Sequence, residues 1–164
     1  MSQKKLELTI ELVPGTAWFQ SLYNLYVDSG QSAKWRKIKE ELFIKEGRQC
    51  FICGEKDTRL EAHEFWYYDN KNNIQKLMSI HHLCSMCHKI KHFGFWCYTV
   101  EGEKLLKQSG LTREDLVKHF CEVNSCTDET FEEHWIESYT TWEKRSEHEW
   151  VQDLGEYDPG KKFI

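Results

Sequence analysis

Four cysteines stand in two pairs of equal spacing, Cys50-Phe51-Ile52-Cys53 and Cys84-Ser85-Met86-Cys87, with thirty residues between the pairs. A Cys-x-x-Cys turn lets both sulfurs of a pair reach one metal ion. Two such turns supply the four soft thiolates of a tetrahedral zinc site. Gly54 follows Cys53 and permits the tight turn of a zinc knuckle. Such a closed site holds a fold together and leaves no position for a substrate. The competing reading, four unrelated buried thiols, does not account for the spacing.

A second group of metal-ligating residues lies beside the first. Cys84 through His92 reads as the start of a helix, with His88 and His92 four residues apart on one face. Upstream, Glu61-Ala62-His63-Glu64-Phe65 reads as a short strand whose alternation sets His63 on the face opposite Glu64. If that strand packs on the helix, His63 joins His88 and His92 around a second divalent ion. Three imidazoles leave positions open for water and a phosphate oxygen, which is what a phosphodiester-cleaving ion requires. Hydrolysis also needs a general base. Glu64 is the nearest in sequence, with His81 and His82 as others. The alternative is that the three histidines only pack around the zinc knuckle.

The elements that must position these residues follow from periodicity. Residues 4–13 alternate, with Leu6, Leu8, Ile10 and Leu12 on one side, and predict a half-buried strand ended by Pro14-Gly15. Trp18, Phe19, Leu22, Leu25 and Tyr26 predict a helix closed by Gly30. Ser32 can cap a helix over 33–46 with Trp35, Ile38, Leu42 and Phe43 on one face. Beyond the site, a short helix is expected over 102–109. A second is expected after Thr112, whose cap is paired with Asp115 and whose apolar face is Leu116, Val117 and Phe120. A longer helix starts at Thr127 or Asp128 and runs to about residue 148, carrying Phe131, Trp135, Ile136, Tyr139 and Trp142. Residues 153–164 read as a loosely ordered tail.

The expected organisation is therefore an α+β chain in four parts. Residues 1–49 pack as a strand and helices on a zinc module of residues 50–98; residues 99–152 form an acidic helical extension, followed by the tail. With 164 residues and 40% hydrophobic content the chain is globular in composition. It has no membrane-length apolar run and opens on polar residues, so a cytoplasmic protein with no membrane contact is expected. In such a reducing compartment seven cysteines point to metal ligands and free thiols, with Cys97, Cys121 and Cys126 as ordinary thiols. The net charge of −5 is uneven. Residues 101–158 carry six Lys/Arg against sixteen Asp/Glu, so a nucleic-acid-binding face must lie on the first two thirds. Trp135, Trp142 and Trp150 read as core or dimer-interface residues rather than base-stacking groups; the oligomeric state stays open.

At the level of motifs the chain resembles HNH endonucleases, the ββα-metal family with a treble-clef zinc module, and in particular small bacterial and phage HNH-like proteins. Leu83-Cys84-x-x-Cys87-His88-x-x-Lys91-His92 matches the family's helix signature, Cys50-x-x-Cys53 its zinc knuckle, and Glu61-x-His63-Glu64 its first metal-site strand. Trp66-Tyr67-Tyr68-Asp69, the early Leu12-Val13-Pro14 and the late Trp142 to Trp150 stretch extend the likeness. The resemblance implies DNA cleavage with structural Zn2+ on Cys50, Cys53, Cys84 and Cys87. It also implies a catalytic Mg2+, Mn2+, Ni2+ or Zn2+ held by His63 and His92, with His88 as ligand or phosphate contact. The Lys89/Lys91 side of the helix would then approach phosphate. Two positions depart from the family: Glu64 stands where it has its general-base histidine, and Ser79 where it has an asparagine. These departures put catalysis in question, and the acidity of residues 101–158 motivates a second expectation, a catalytically inactive HNH-like module that binds a protein partner as adaptor or inhibitor through its acidic C-terminal helices.

Overall fold

A computed structural model describes residues 4–18 and 20–160. It is an α+β structure centred on a three-stranded sheet of order β1-β2-β3. β1 (Leu60–Asp69) and β2 (Ile74–Cys84) form a long antiparallel hairpin from the pair Leu60/Cys84 to the pair Asp69/Ile74. The Asp69 carboxylate closes its turn by accepting the backbone N–H groups of Lys71 and Asn72 at 3.0 and 3.1 Å. Asn73 takes the left-handed conformation that small polar side chains tolerate, at φ 54°. Phe65 pairs with Ser79 and Trp66 with Leu77, so Met78 is an extra, bulged residue and stands exposed.

Two helices cover one face of the hairpin. α1 (Leu22–Asp28) is capped by Ser21, and α2 (Ser32–Glu46) ends at Gly47, where φ is 79°. They bury Leu22, Tyr26, Trp35 and Leu42 against Leu77 and Ile80 of β2. On the other side β2 runs directly into α3 (Ser85–Lys91), followed by α4 (Phe93–Tyr98) and α5 (Val100–Gln108). α6 (Arg113–Asn124) begins with the expected Thr112–Asp115 capping box, and α7 (Asp128–Ser146) with the Thr127 cap. Leu8, Ile90, Phe93, Leu116, Phe120 and Phe131 form the core that joins α3, α4, α6 and α7 to the clustered cysteines Cys50, Cys84 and Cys87. No helix among the described residues is long and apolar enough to cross a membrane.

The sequence expectations need four corrections. Residues 4–13 bury Leu8 and Ile10 as the alternation requires, but they join no sheet. Apart from Glu11 N–H, which donates to Lys91 O at 3.2 Å, the hydrogen bonds that fix their backbone come from side chains. Asn124 Oδ1 accepts the N–H groups of Glu7 and Leu8 at 2.8 and 3.0 Å, and His134 Nε2 accepts that of Ile10 at 2.8 Å. The helix expected around Trp18 and Phe19 is a 3-10 turn, Gly15–Ala17, followed by α1; Phe19 lies outside the described residues. Ser32 is the first residue of α2 rather than its cap. The tail is tied down as far as Pro159, whose carbonyl accepts from Gln31 Nε2 at 3.1 Å, and residues 161–164 of the stretch expected to be loose lie outside the described residues. β3 (Val151–Asp153) pairs parallel to the start of β2, and Tyr26 Oη donates to Tyr157 O at 2.7 Å.

Along α7 the expected apolar face is only partly buried. Phe131 is enclosed, Ile136 is exposed, and Trp135 and Trp142 are half-buried. Trp150 is buried and donates from Nε1 to Arg145 O, so it is a core residue.

Candidate metal centres

The knuckle is fastened to the edge of β2. Phe51 N–H donates to His82 O, and Gly54 N–H to Cys50 O, both at 2.9 Å. Cys84 ends β2 and caps α3, its sulfur accepting the N–H of Cys87 at 3.4 Å. Strand, knuckle and helix start thus deliver four sulfurs to one point, all within 4.8 Å of one another. Zinc–sulfur bonds of about 2.3 Å in a tetrahedron set sulfurs about 3.8 Å apart. Cys53 and Cys84 lie at 3.7 Å, and the cluster can hold a metal such as zinc. Four thiols this close cannot all ionise unaided. Hydrogen bonds from Cys84 and Cys87 pull the Cys50 thiol far down, while hydrogen bonding to Cys50 holds Cys84 and Cys87 up. A divalent cation removes the conflict by taking all four as thiolates.

His119, from α6, reaches the same cluster: its Nε2 stands 3.3 Å from Cys87 Sγ. Burial lowers the pKa of His119, so a neutral ring with its proton on Nε2 can donate to the thiolate. Nothing in the sequence near the cysteines points to this histidine, which arrives from a different helix.

The three-histidine group converges as well. The ring centroids of His63, His88 and His92 are mutually 5.1–5.2 Å apart, and one nitrogen of each lies within 4.8 Å of the others. His63 comes from β1 and His88 from α3. His92 sits at the break between α3 and α4, with φ −104° and ψ 35°. The Nδ1 atoms of His63 and His92 are buried without a hydrogen-bond partner among the described residues. Orphaned buried nitrogens are costly unless something else binds them. Burial holds both rings well below the usual histidine range, His92 at about 3, so both are the neutral bases a metal requires.

Glu61 completes the group. It lies two residues before His63, on the same face of β1, and its Oε2 accepts from His88 Nδ1 at 2.6 Å. That contact, with His88, lowers the carboxyl pKa. A carboxylate on Nδ1 leaves Nε2 as the free nitrogen and fixes the ring, as carboxylates behind metal-bound histidines do. The alternation that placed His63 also places Glu61, so this partner was legible in the strand pattern.

The expected base and phosphate contacts are placed differently. Glu64 lies on the opposite face of β1 from the imidazoles, where its carboxylate accepts the N–H of Leu22 at 2.8 Å and burial raises its pKa. It caps α1 and does not face the histidines. His82 turns to α2, with Nε2 3.0 Å from Lys39 O and its ring stacked on Phe43. His81 shares the face of His63, directly opposite it across the strands. Its Nδ1 is 2.7 Å from Glu46 Oε1, and its ring stacks on Phe51. Ser79 pairs with Phe65 at the bulge. Lys91 is buried, bonded to Thr9 Oγ1 and Glu11 Oε1 at 3.0 and 2.8 Å. Lys89 lies over the Trp96 ring, 4.5 Å from its centroid, and donates to Ser85. The pair is therefore not a free cationic face: Lys91 ties the N-terminal segment to α3. Comparison with protein-family models, curated proteins and solved structures finds no match for this chain.

Proposed function

We propose that the chain is a metal-dependent endonuclease of the HNH type, with β1, β2 and α3 as its ββα-metal unit on a treble-clef zinc knuckle. The observation that carries this reading is the convergence of His63, His88 and His92, two of them with buried, unpartnered nitrogens and the third backed by Glu61. The cysteine cluster, one turn earlier on α3, holds hairpin and helix in the register that brings them together. A divalent ion on three imidazoles keeps open positions and would polarise a phosphodiester and stabilise its leaving oxygen. Glu61 orients His88, and His63 fixes the ion's distance from the sheet. His81, on the same face and engaged at Nδ1 by Glu46, is the group left to accept a proton from water.

Plasmid cleavage tests the reading. Zinc-loaded protein should nick or linearise plasmid DNA with added magnesium, manganese or nickel. His63→Ala and His92→Ala should abolish cleavage while the fold, followed by circular dichroism, persists. Intact plasmid with every one of these ions overturns the proposal.

Two observations favour a second reading, a protein-binding adaptor or inhibitor. Glu64 caps a helix, and the chain beyond residue 100 is strongly acidic. Metal counting separates the two. One tightly held zinc per chain supports the adaptor; a second, exchangeable ion that is lost in His92→Ala supports the enzyme.

A further inference from the structure

An open groove of about 700 Å³ begins at His92 and runs between the N-terminal segment, α4 and α7. Its walls are aromatic: Trp18, Phe95, Tyr98, Trp135 and Tyr139 line it, and among the described residues no Asp, Glu, Lys or Arg side chain does. Trp18 and Phe95 stack with their planes 27° apart; Tyr98 and Trp135 stack at 11°. Trp18 also meets the His92 ring edge-on at 5.7 Å. Trp18, Tyr98 and Tyr139 are each 39% or more exposed, an unusual concentration of ring surface in water.

We propose that this groove is a stacking site for unpaired bases of single-stranded nucleic acid whose backbone passes the three histidines. The inference rests on the nuclease reading for its choice of ligand, and it departs from two sequence expectations: Trp135 serves as a stacking surface, and α7, from the acidic segment, forms one wall of the groove while the phosphates stay on the side of the imidazoles. Flat ring faces accept any base by stacking, without sequence readout. An uncharged lining suits a neutral base and leaves the phosphates outside. The groove is continuous with His92, so a base seated in it sets the neighbouring phosphodiester beside the imidazole cluster. A base inside a duplex cannot enter without leaving its stack, so the site selects single strands or distorted duplexes.

The test uses the zinc-loaded chain and tryptophan fluorescence. It is titrated with a short thymidine oligonucleotide and with an abasic deoxyribose-phosphate strand of equal length. The thymidine strand should bind about tenfold tighter or more. Tyr98→Ala and Tyr139→Ala, at exposed positions, should bring the two strands within about threefold of each other. His63→Ala should keep the preference, so that base binding survives loss of cleavage and the two proposals fail separately. Equal binding of both strands, the outcome expected of a groove that serves a protein partner, overturns the proposal. So does a preference unmoved in both tyrosine variants.

Discussion

Glu61 Oε2 lies 2.6 Å from His88 Nδ1, and this contact joins the hairpin to the helix across the three-histidine cluster. It gives His88 one defined tautomer and aims its free nitrogen toward His63 and His92. Glu61→Gln keeps the size of the side chain and loses the charge. The expected result is a drop of about 10–100-fold in affinity for the second metal, with the zinc of the cysteine cluster retained. Titration with manganese or nickel against a competing chelator reads the first quantity, and zinc analysis of the same sample reads the second. Equal second-metal affinity in wild type and variant would show that the carboxylate does not orient the ligand.

His119 supports the other cluster in the same way, at 3.3 Å from Cys87 Sγ. His119→Ala should weaken zinc retention by about 10–100-fold while Cys87→Ser removes the zinc altogether. Chelation of wild-type protein should then cost helix signal along with the metal, because the four cysteines gather knuckle, β2 and the start of α3 at this corner. Zinc release followed with a colorimetric chelator, alongside circular dichroism, separates the two variants.

How much of this was legible in the sequence depends on whether the partner was local. The four cysteines and the His88/His92 pair announce themselves by spacing along one turn, and His63 by strand alternation. Residues 4–13 show where that logic ends. Their alternation correctly marks Leu8 and Ile10 as buried, yet periodicity says nothing about what satisfies the backbone. Asn124 and His134, more than a hundred residues away, take the place of a neighbouring strand. Lys91 failed as a phosphate contact for the same reason: its partners Thr9 and Glu11 come from that segment. Glu64 lies on the face that strand alternation gives it, but its partner, Leu22 N–H, belongs to a helix outside the motif and could not be read from the strand.

That N-terminal clasp should respond to acid. His134 accepts the Ile10 N–H through Nε2, which it can do only while that nitrogen is unprotonated, and burial lowers its pKa in the folded protein. In the unfolded chain the ring takes a proton near its ordinary value of about 6.5. Stability from this histidine is therefore complete above about pH 6.5 and falls as pH drops from there through the lower folded value. Thermal unfolding of wild type and His134→Gln, whose amide oxygen can accept the same bond without titrating, isolates the contribution. The difference between the two should grow in the variant's favour between about pH 6.5 and pH 5.

Gly102 is a purely steric prediction. It lies in the first turn of α5, and a Cβ there would overlap the carbonyl of Phe95 in α4. The same carbonyl accepts the Thr99 hydroxyl at 2.7 Å, so it cannot retreat without breaking that bond. Gly102→Ala should destabilise by about 1–3 kcal/mol despite the better helix propensity of alanine. Urea denaturation measures it. Gly110→Ala, in open space but at φ 75°, supplies a comparison in which only backbone strain acts.

The proton-accepting step is the sharpest test of the catalytic reading, because sequence and structure point to different residues. His81 lies on the imidazole face with Glu46 on its Nδ1. Glu64 lies on the other face, occupied by the start of α1. If His81 takes a proton from the attacking water, His81→Gln should lower plasmid cleavage at least about 100-fold, the lower range for losing a general base. Its metal content should not change, since His81 is outside the ligand group. Glu64→Gln, which keeps an oxygen for Leu22 N–H, should cleave at close to the wild-type rate. Glu46→Gln should fall between them, because the ring would remain but lose the carboxylate that fixes its orientation. Cleavage rates at saturating metal, with metal content measured on the same preparations, decide among these. A fully active His81→Gln beside an inactive Glu64→Gln would reverse the assignment and imply that β1 turns its other face to the substrate during the reaction.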